Sequence, residues 1–281
     1  MSYLKIKSYA KINLALNIVG KTYLFHKIES IVSFLDLYDE ILIKKIKNKS
    51  HKIKFIGKFS NNISPKNTVS KLLKIIDKKK LLKKTKFEIV IKKNIPSKAG
   101  LGGGSMNAAS ILQFLIKNKL IKISKNEVSR ICHLIGSDVI LGIYSRNLIL
   151  KSNNLIKDYT NKSNIFTLIV KPNFGCSTKK IYSKVKKFNK ERFNRPNKNM
   201  FNLDFLKAMN NDLELIALKK YPKLRSLKIF LEKLSKVEFV RMTGSGSAII
   251  SYFKSLKMCK DAEKKVKKQF RNYWCKTAKT I

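Results

Sequence analysis

A chain of 281 residues, 44% of them hydrophobic, can bury one large core or two ordinary ones, which excludes a disordered protein or a small disulfide scaffold. A formal net charge of +45 would ordinarily point to a polyanionic partner, yet only seven of the 62 basic residues are Arg and the lysines are spread along the whole chain. Diffuse charge of this kind, beside abundant Ile and Asn, reads as compositional bias, with no specific nucleic acid and no membrane as partner.

In chain order, residues 3–8, 12–19, 28–35, 40–46 and 52–56 are β-rich or alternating and predict strands. Val69, Leu72, Leu73 and Ile76 have helical spacing, and Phe87-Glu88-Ile89-Val90-Ile91 alternates as a strand. A glycine-rich stretch follows, and then Ala108, Leu112, Leu115 and Ile116 recur at helical spacing. Ser124 with Glu127 predicts a capping box, opening a helix with Val128, Ile131, Cys132 and Ile135 inward and a stop at Gly136. An apolar stretch from Val139 ends near Ser145, and residues 147–151 predict a strand.

Residues 151–164 are polar and aperiodic, so the chain divides here into domains 1–155 and 156–281. Phe166-Thr167-Leu168-Ile169-Val170 reads as a buried strand, and helical patterns cover 178–188, 201–209 and 222–234. The Lys-rich residues 189–199 read as a solvated loop. The ending is strand 238–242, strand 248–253, helix 255–268 and a last strand near Tyr273. Four cysteines without a C-x-x-C pair, and three histidines without a ligand pattern, predict neither a disulfide framework nor a zinc site. The early apolar run 12–19 is too short to cross a bilayer and no presequence is visible, so a reducing, cytoplasmic setting is expected.

Four of the eleven glycines fall within five residues, in Ile95-Pro96-Ser97-Lys98-Ala99-Gly100-Leu101-Gly102-Gly103-Gly104-Ser105-Met106-Asn107-Ala108-Ala109. Between a strand and a helix, glycines let the backbone approach a ligand, and the helix's free N–H groups attract an anion. Ser105 and Asn107 are placed to cap the helix or to bond the same phosphate. The stretch is neither a Walker loop nor the dinucleotide fingerprint.

Its wording, P-x-x-x-G-L-G-G-G-S-x-N-A-A, resembles the ATP-phosphate loop of the GHMP kinases, the family of galactokinase, homoserine kinase and mevalonate kinase. Two further motifs agree: Ala10-Lys11-Ile12-Asn13-Leu14 resembles the family's first motif, and Met242-Thr243-Gly244-Ser245-Gly246-Ser247 its third. The resemblance implies an α+β fold of two domains, with an N-terminal ribosomal-domain-like α/β half, a C-terminal α/β sandwich half and a cleft between them. It also implies an ATP- and Mg²⁺-dependent transfer of phosphate to a hydroxyl. The members it matches best act on a small molecule bearing a cytidine diphosphate group, in isoprenoid-precursor synthesis. Rival readings are a homoserine- or mevalonate-type kinase and, from another class, a basic RNA-binding protein.

By the same resemblance, Asp138 in Gly136-Ser137-Asp138-Val139-Ile140 is the base and Lys11 the cation that orients the acceptor oxygen. Read alone, Asp138 is a helix N-cap and Lys11 a solvated strand residue. Pro96, Ala99, Gly100, Leu101, Gly102, Gly103, Gly104, Ser105 and Asn107 would hold ATP, with Asn67 and Lys93 near its base. Asn13, Phe25, His26, Thr178, Tyr182, Thr243 and Gly244 would bind the acceptor, His26 offering one donor and one acceptor to a pyrimidine edge. The metal ligands are not evident, and a homodimer is possible. Three positions depart from the family pattern: Met106 replaces a Ser, Ile140 replaces a Pro, and Tyr23-Leu24-Phe25-His26 is one residue short.

Overall fold

The computed structural model describes residues 2–23, 25–160 and 163–281, which leaves Leu24, Asn161 and Lys162 of the predicted segments outside the described residues. Strands β1 (Leu4–Lys21), β2 (His26–Ile46) and β3 (Lys52–Ile56) lead to helix α1 (Thr68–Lys78), strand β4 (Lys86–Lys92) and helix α2 (Gly103–Lys117). Then come α3 (Lys125–Ile135), α4 (Val139–Tyr144), β5 (Asn147–Leu150), β6 (Ile156–Tyr159) and β7 (Phe166–Lys171). The remainder is α5 (Thr178–Tyr182), a 3₁₀ turn (Lys198–Phe201), α6 (Leu203–Lys207), α7 (Glu214–Lys220), α8 (Pro222–Glu232), β8 (Phe239–Met242), β9 (Ile249–Phe253), α9 (Leu256–Gln269) and β10 (Trp274–Lys279).

Two compact units share the chain: residues 1–11, 37–97 and 102–145 form the first, and residues 12–36, 98–101 and 146–281 the second. In the first, β4 pairs antiparallel with β2 from Glu40↔Lys92 to Ile46↔Lys86 and parallel with β3. The parallel neighbours need a crossover, and α1 supplies it. Alternation along the strands turns Ile41, Ile43, Phe87, Ile89 and Ile91 inward, against the stripe Val69, Leu72, Leu73 and Ile76 of α1 and Ala108, Leu112 and Leu115 of α2.

In the second unit, β5 pairs with β2 at Ser30↔Leu150 and with β6, while a separate antiparallel sheet runs β10-β7-β9-β8. β9 is buried throughout, as its unbroken apolar face requires. Leu168, Val170, Ile249 and Phe253 pack on Leu224, Leu227 and Leu231 of α8 and on Cys259, Ala262 and Val266 of α9.

Several expectations change. The four N-terminal strands are two long ones, β1 and β2; in β2, Asp36 and Asp39 stay within the extended pattern because their carboxylates accept backbone N–H groups. Only residues 178–182 of the expected helix 178–188 are helical, and 201–209 is a 3₁₀ turn followed by the short α6. β6 lies in the stretch read as aperiodic; four residues at a sheet edge with Lys157 and Asp158 inside carry too little pattern to be seen. α7 opens at Glu214, where Asn211-Asp212-Leu213-Glu214 reads as a helix start. Residues 189–199 are mostly exposed, but Phe193 is buried and the segment is tied down by its backbone.

Candidate active site

Lys11 is not a solvated strand residue. Its side chain is 3% exposed, and its Nζ lies 3.1 Å from Oδ2 of Asp138, which is 38% exposed. Asp138 precedes α4 but makes no side-chain capping bond, so its carboxylate is directed to the lysine and not to the helix. The lysine's methylene stem runs past Gly102, where an added Cβ would stand 2.7 Å from Lys11 Cγ. Gly102 itself has φ of 69°, a left-handed conformation that glycine adopts without strain. The first unit therefore brings Lys11, Asp138 and the central glycine of the loop together.

Gly102 is also the N-cap of α2, and no side chain caps that helix. This corrects the expectation that Ser105 or Asn107 caps it: both lie inside the first turns. The leading N–H groups of α2 are thus left for an anion. Asn107 is 1% exposed and its Oδ1 has no hydrogen-bond partner. Met106 points into the core, its sulfur beside Gly142 of α4, so a hydroxyl at that position would face apolar side chains. Thr68 Oγ1 donates to the Gly104 carbonyl at 2.6 Å. Asn67, one residue earlier, caps α1: its Oδ1 accepts from Val69 and Ser70 N–H, and its Nδ2 donates to the Ser64 carbonyl.

Lys93 is 4% exposed and is ion-paired with Asp39, which is wholly buried. Burial pulls its ammonium below the usual lysine range, against the opposing pull of the Asp39 carboxylate. Pro96 is buried before the loop, as are Ala99 and Leu101 within it.

In the second unit, residues 98–101 are bonded to the T-G-S-G-S loop. Ser247 N–H donates to the Lys98 carbonyl at 3.3 Å and Ala248 N–H to that of Ala99 at 3.1 Å. Gly100, with φ of 76°, backs onto Thr243 so closely that a Cβ would stand 2.0 Å from the Thr243 carbonyl oxygen. Thr243 Oγ1 accepts from Asn13 N–H at 3.0 Å and donates to the Gly100 carbonyl at 3.2 Å. Asn13 donates through Nδ2 to Ser30 Oγ at 2.8 Å, and its Oδ1 faces Gly244. All of residues 243–247 are buried, which an ordinary hairpin tip would not be. Thr178 Oγ1 bonds Ser245 Oγ at 2.8 Å.

The His26 ring lies 5.1 Å from that of Tyr182 and 6.4 Å from that of Phe188. Burial and then the nearby Lys21 charge lower its pKa, so the imidazole is neutral at pH 7. Phe25 is 71% exposed.

Three polar residues that the sequence did not single out as site supports emerge. Asn211 donates to the carbonyls of Met242 and Gly244 at 2.7 and 2.8 Å, holding the third loop. Glu29, wholly buried, accepts from the N–H groups of Arg192 and Phe193. Asp39 is the third. Its signal was legible, since Leu37, Asp39, Ile41 and Ile43 share one strand face and an acid on an apolar face needs partners.

Residues 67–146 match the family described as GHMP kinases N terminal domain. The chain is 57% identical, over all of its length and all of the relative's, to a protein named 4-diphosphocytidyl-2-C-methyl-D-erythritol kinase from Pelagibacter ubique. It belongs to the GHMP kinases, in the 4-diphosphocytidyl-2-C-methyl-D-erythritol kinase family. A relative of the same name from Clostridium tetani is 33% identical, covering 99% of this chain and 100% of its own. Among solved structures, a 4-(cytidine 5'-diphospho)-2C-methyl-D-erythritol kinase superposes with a TM-score of 0.78 at 19% identity, over 98% of this chain and 99% of the other. A homoserine kinase from Cytophaga hutchinsonii gives 0.72 at 15%, over 100% and 95%. These two likenesses concern the fold, which is the mixed two-sheet fold expected.

Proposed function

We propose that the protein transfers the γ-phosphoryl group of ATP to the 2-hydroxyl of 4-diphosphocytidyl-2-C-methyl-D-erythritol. The observation that carries the mechanism is the Lys11–Asp138 pair seated against Gly102 at the start of α2. Phosphoryl transfer needs an oriented nucleophile and a preorganised set of donors for the charge on the phosphates. Asp138, 38% exposed and 3.1 Å from the Lys11 ammonium, accepts the hydroxyl proton. Lys11, fixed by burial, holds carboxylate and acceptor oxygen in line. The N–H groups of Gly103, Gly104 and Ser105 receive the phosphates.

Among the described residues no three acidic, His or Cys side chains gather as a metal site. Mg²⁺ keeps waters and substrate phosphates and needs only one or two protein oxygens. Ser105, in the first turn of α2, is a hydroxyl able to serve it. Bound with ATP, the ion would offset charge on the β- and γ-phosphates.

For the acceptor, the neutral His26 ring provides one donor and one acceptor to cytosine, and Tyr182 provides a ring face. Among the described residues no helix is long and apolar enough to cross a membrane, and the four cysteines are free.

The test is ADP release from purified protein with ATP and Mg²⁺, offering the cytidine compound beside homoserine and mevalonate. Turnover with the cytidine compound alone is the expected result. Turnover with either control instead would move the protein to another branch of the family.

A further inference from the structure

The segment that carries the chain from β4 to the glycine loop hangs on one buried carboxylate. Oδ1 of Asp39 accepts two consecutive backbone N–H groups, from Asn94 at 2.7 Å and Ile95 at 2.9 Å. Its other oxygen takes the Lys93 ammonium. Two flanking bonds fix the same segment: Lys93 N–H donates to the Ile56 carbonyl at 2.8 Å, and Asn94 Nδ2 to that of Tyr38 at 2.9 Å. Asp39 has no exposed surface, and a buried carboxylate is tolerated only when its lone pairs are met by strong donors, as they are here.

The residues so held form the floor under the start of α2. A Cβ placed on Gly103 would stand 3.1 Å from Ile95 Cγ2 and 3.4 Å from Lys93 Nζ. Gly103 is the first residue of α2, where N–H groups converge. A lysine ammonium against the positive end of a helix dipole is unfavourable by itself. Asp39 offsets that charge while fixing where the floor lies.

We propose that Asp39 is a positioning residue for ATP binding, setting the position of the α2 N-terminus through residues 93–95. This rests on the reading of Gly102 to Ser105 as the phosphate cradle. Asp39 does not touch the nucleotide; it acts through Lys93 and Ile95. Asp39→Asn keeps the size and can still accept from the two backbone groups through its carbonyl oxygen, but presents an amide in place of the oxygen facing Lys93.

The experiment is steady-state kinetics of Asp39→Asn with both substrates varied, together with the urea midpoint and titration with a non-hydrolysable ATP analogue. The expected result is a roughly tenfold rise in KM for ATP and in the analogue's Kd, equivalent to about 1.4 kcal/mol. KM for the acceptor and kcat at saturating ATP should stay within roughly threefold of the wild type. An unchanged KM for ATP overturns the proposal, as does a loss of kcat alone in proportion to unfolded protein. Should Asp39→Asn fail to fold, Asn94→Ala removes the bond to the Tyr38 carbonyl that fixes the same segment and should raise KM for ATP by roughly threefold; no change there also overturns it. Wild-type protein that fails to bind the analogue would remove the cradle reading itself, whereas wild-type binding with an unaffected variant removes only the role of Asp39.

Discussion

Two of the lysine–aspartate pairs in the first unit, Lys11–Asp138 and Lys93–Asp39, are alike in chemistry and opposite in setting. In both the lysine is nearly inaccessible, at 3% and 4% exposure, but Asp138 is 38% exposed and Asp39 not at all. Asp39 takes two backbone N–H groups and an ammonium and has no exposed surface, so it is closed to a reacting proton. Asp138 receives Lys11 on one oxygen, leaves its helix uncapped, and keeps access to solvent. A carboxylate that water can reach can also exchange a proton with a substrate; one sealed by strong donors can only hold backbone in place.

The sharpest way to break this contrast is Asp138→Asn. The side chain keeps its shape and loses its basicity, so kcat should fall by roughly 10²–10⁴, the usual worth of general base catalysis. ATP affinity should stay within roughly threefold, because the cradle is untouched. Titration with an ATP analogue beside turnover checks both halves, and unaltered turnover would remove Asp138 from the chemistry. A smaller effect comes from Gly102→Ala. The new Cβ would collide with the stem of Lys11 and occupy a left-handed conformation, costing about 1–3 kcal/mol of stability. Because Lys11 must shift to admit it, kcat should drop by roughly tenfold beyond what unfolding explains. Chemical denaturation and kinetics on the same preparation separate the two.

How much of this was legible beforehand follows the range of the signal. The α1 stripe Val69, Leu72, Leu73 and Ile76 and the bounds of β3 were written in local periodicity, which does not need tertiary contacts to be read. The long β2 was not, since continuity past Asp36 and Asp39 depends on donors far along the chain, at Lys279 and at Asn94 and Ile95. Lys11 as one of 55 lysines carries no local mark of function. Its resemblance to a family motif singled it out, and its burial, with the stem against Gly102 and the ammonium beside Asp138, appears only in the fold. The T-G-S-G-S loop shows the same limit: turn chemistry predicts a hairpin tip, whereas Asn211 and Thr243 keep it buried.

A third acid in the first unit extends the contrast to pH. His51 sits between Asp77 and the backbone of β4, its Nδ1 accepting from Phe87 N–H at 3.0 Å and its Nε2 lying 3.3 Å from Asp77 Oδ1. Since the backbone group can only donate, Nδ1 is the unprotonated nitrogen and Nε2–H donates to Asp77. Burial lowers the His51 pKa, with Asp77 opposing it, so the folded protein binds this proton more weakly than the unfolded chain does. The contribution is therefore complete above the unfolded value near 6.5 and is lost as pH falls through the lower folded value. Asp77 moves the same way: burial raises its pKa, but the bonds to Lys86 and His51 outweigh it, adding a second loss below pH 3.8. Protonating Nδ1 sets two donors face to face and removes one buried hydrogen bond, worth about 1 kcal/mol. The thermal midpoint should accordingly fall by roughly 2–4 °C as the pH is lowered from 7.5 through the histidine range. His51→Gln can accept and donate like the neutral ring but cannot take a proton, so it should flatten this upper step and leave the one below pH 3.8. A variant whose midpoint falls as steeply as the wild type's would assign the acid sensitivity to some other group.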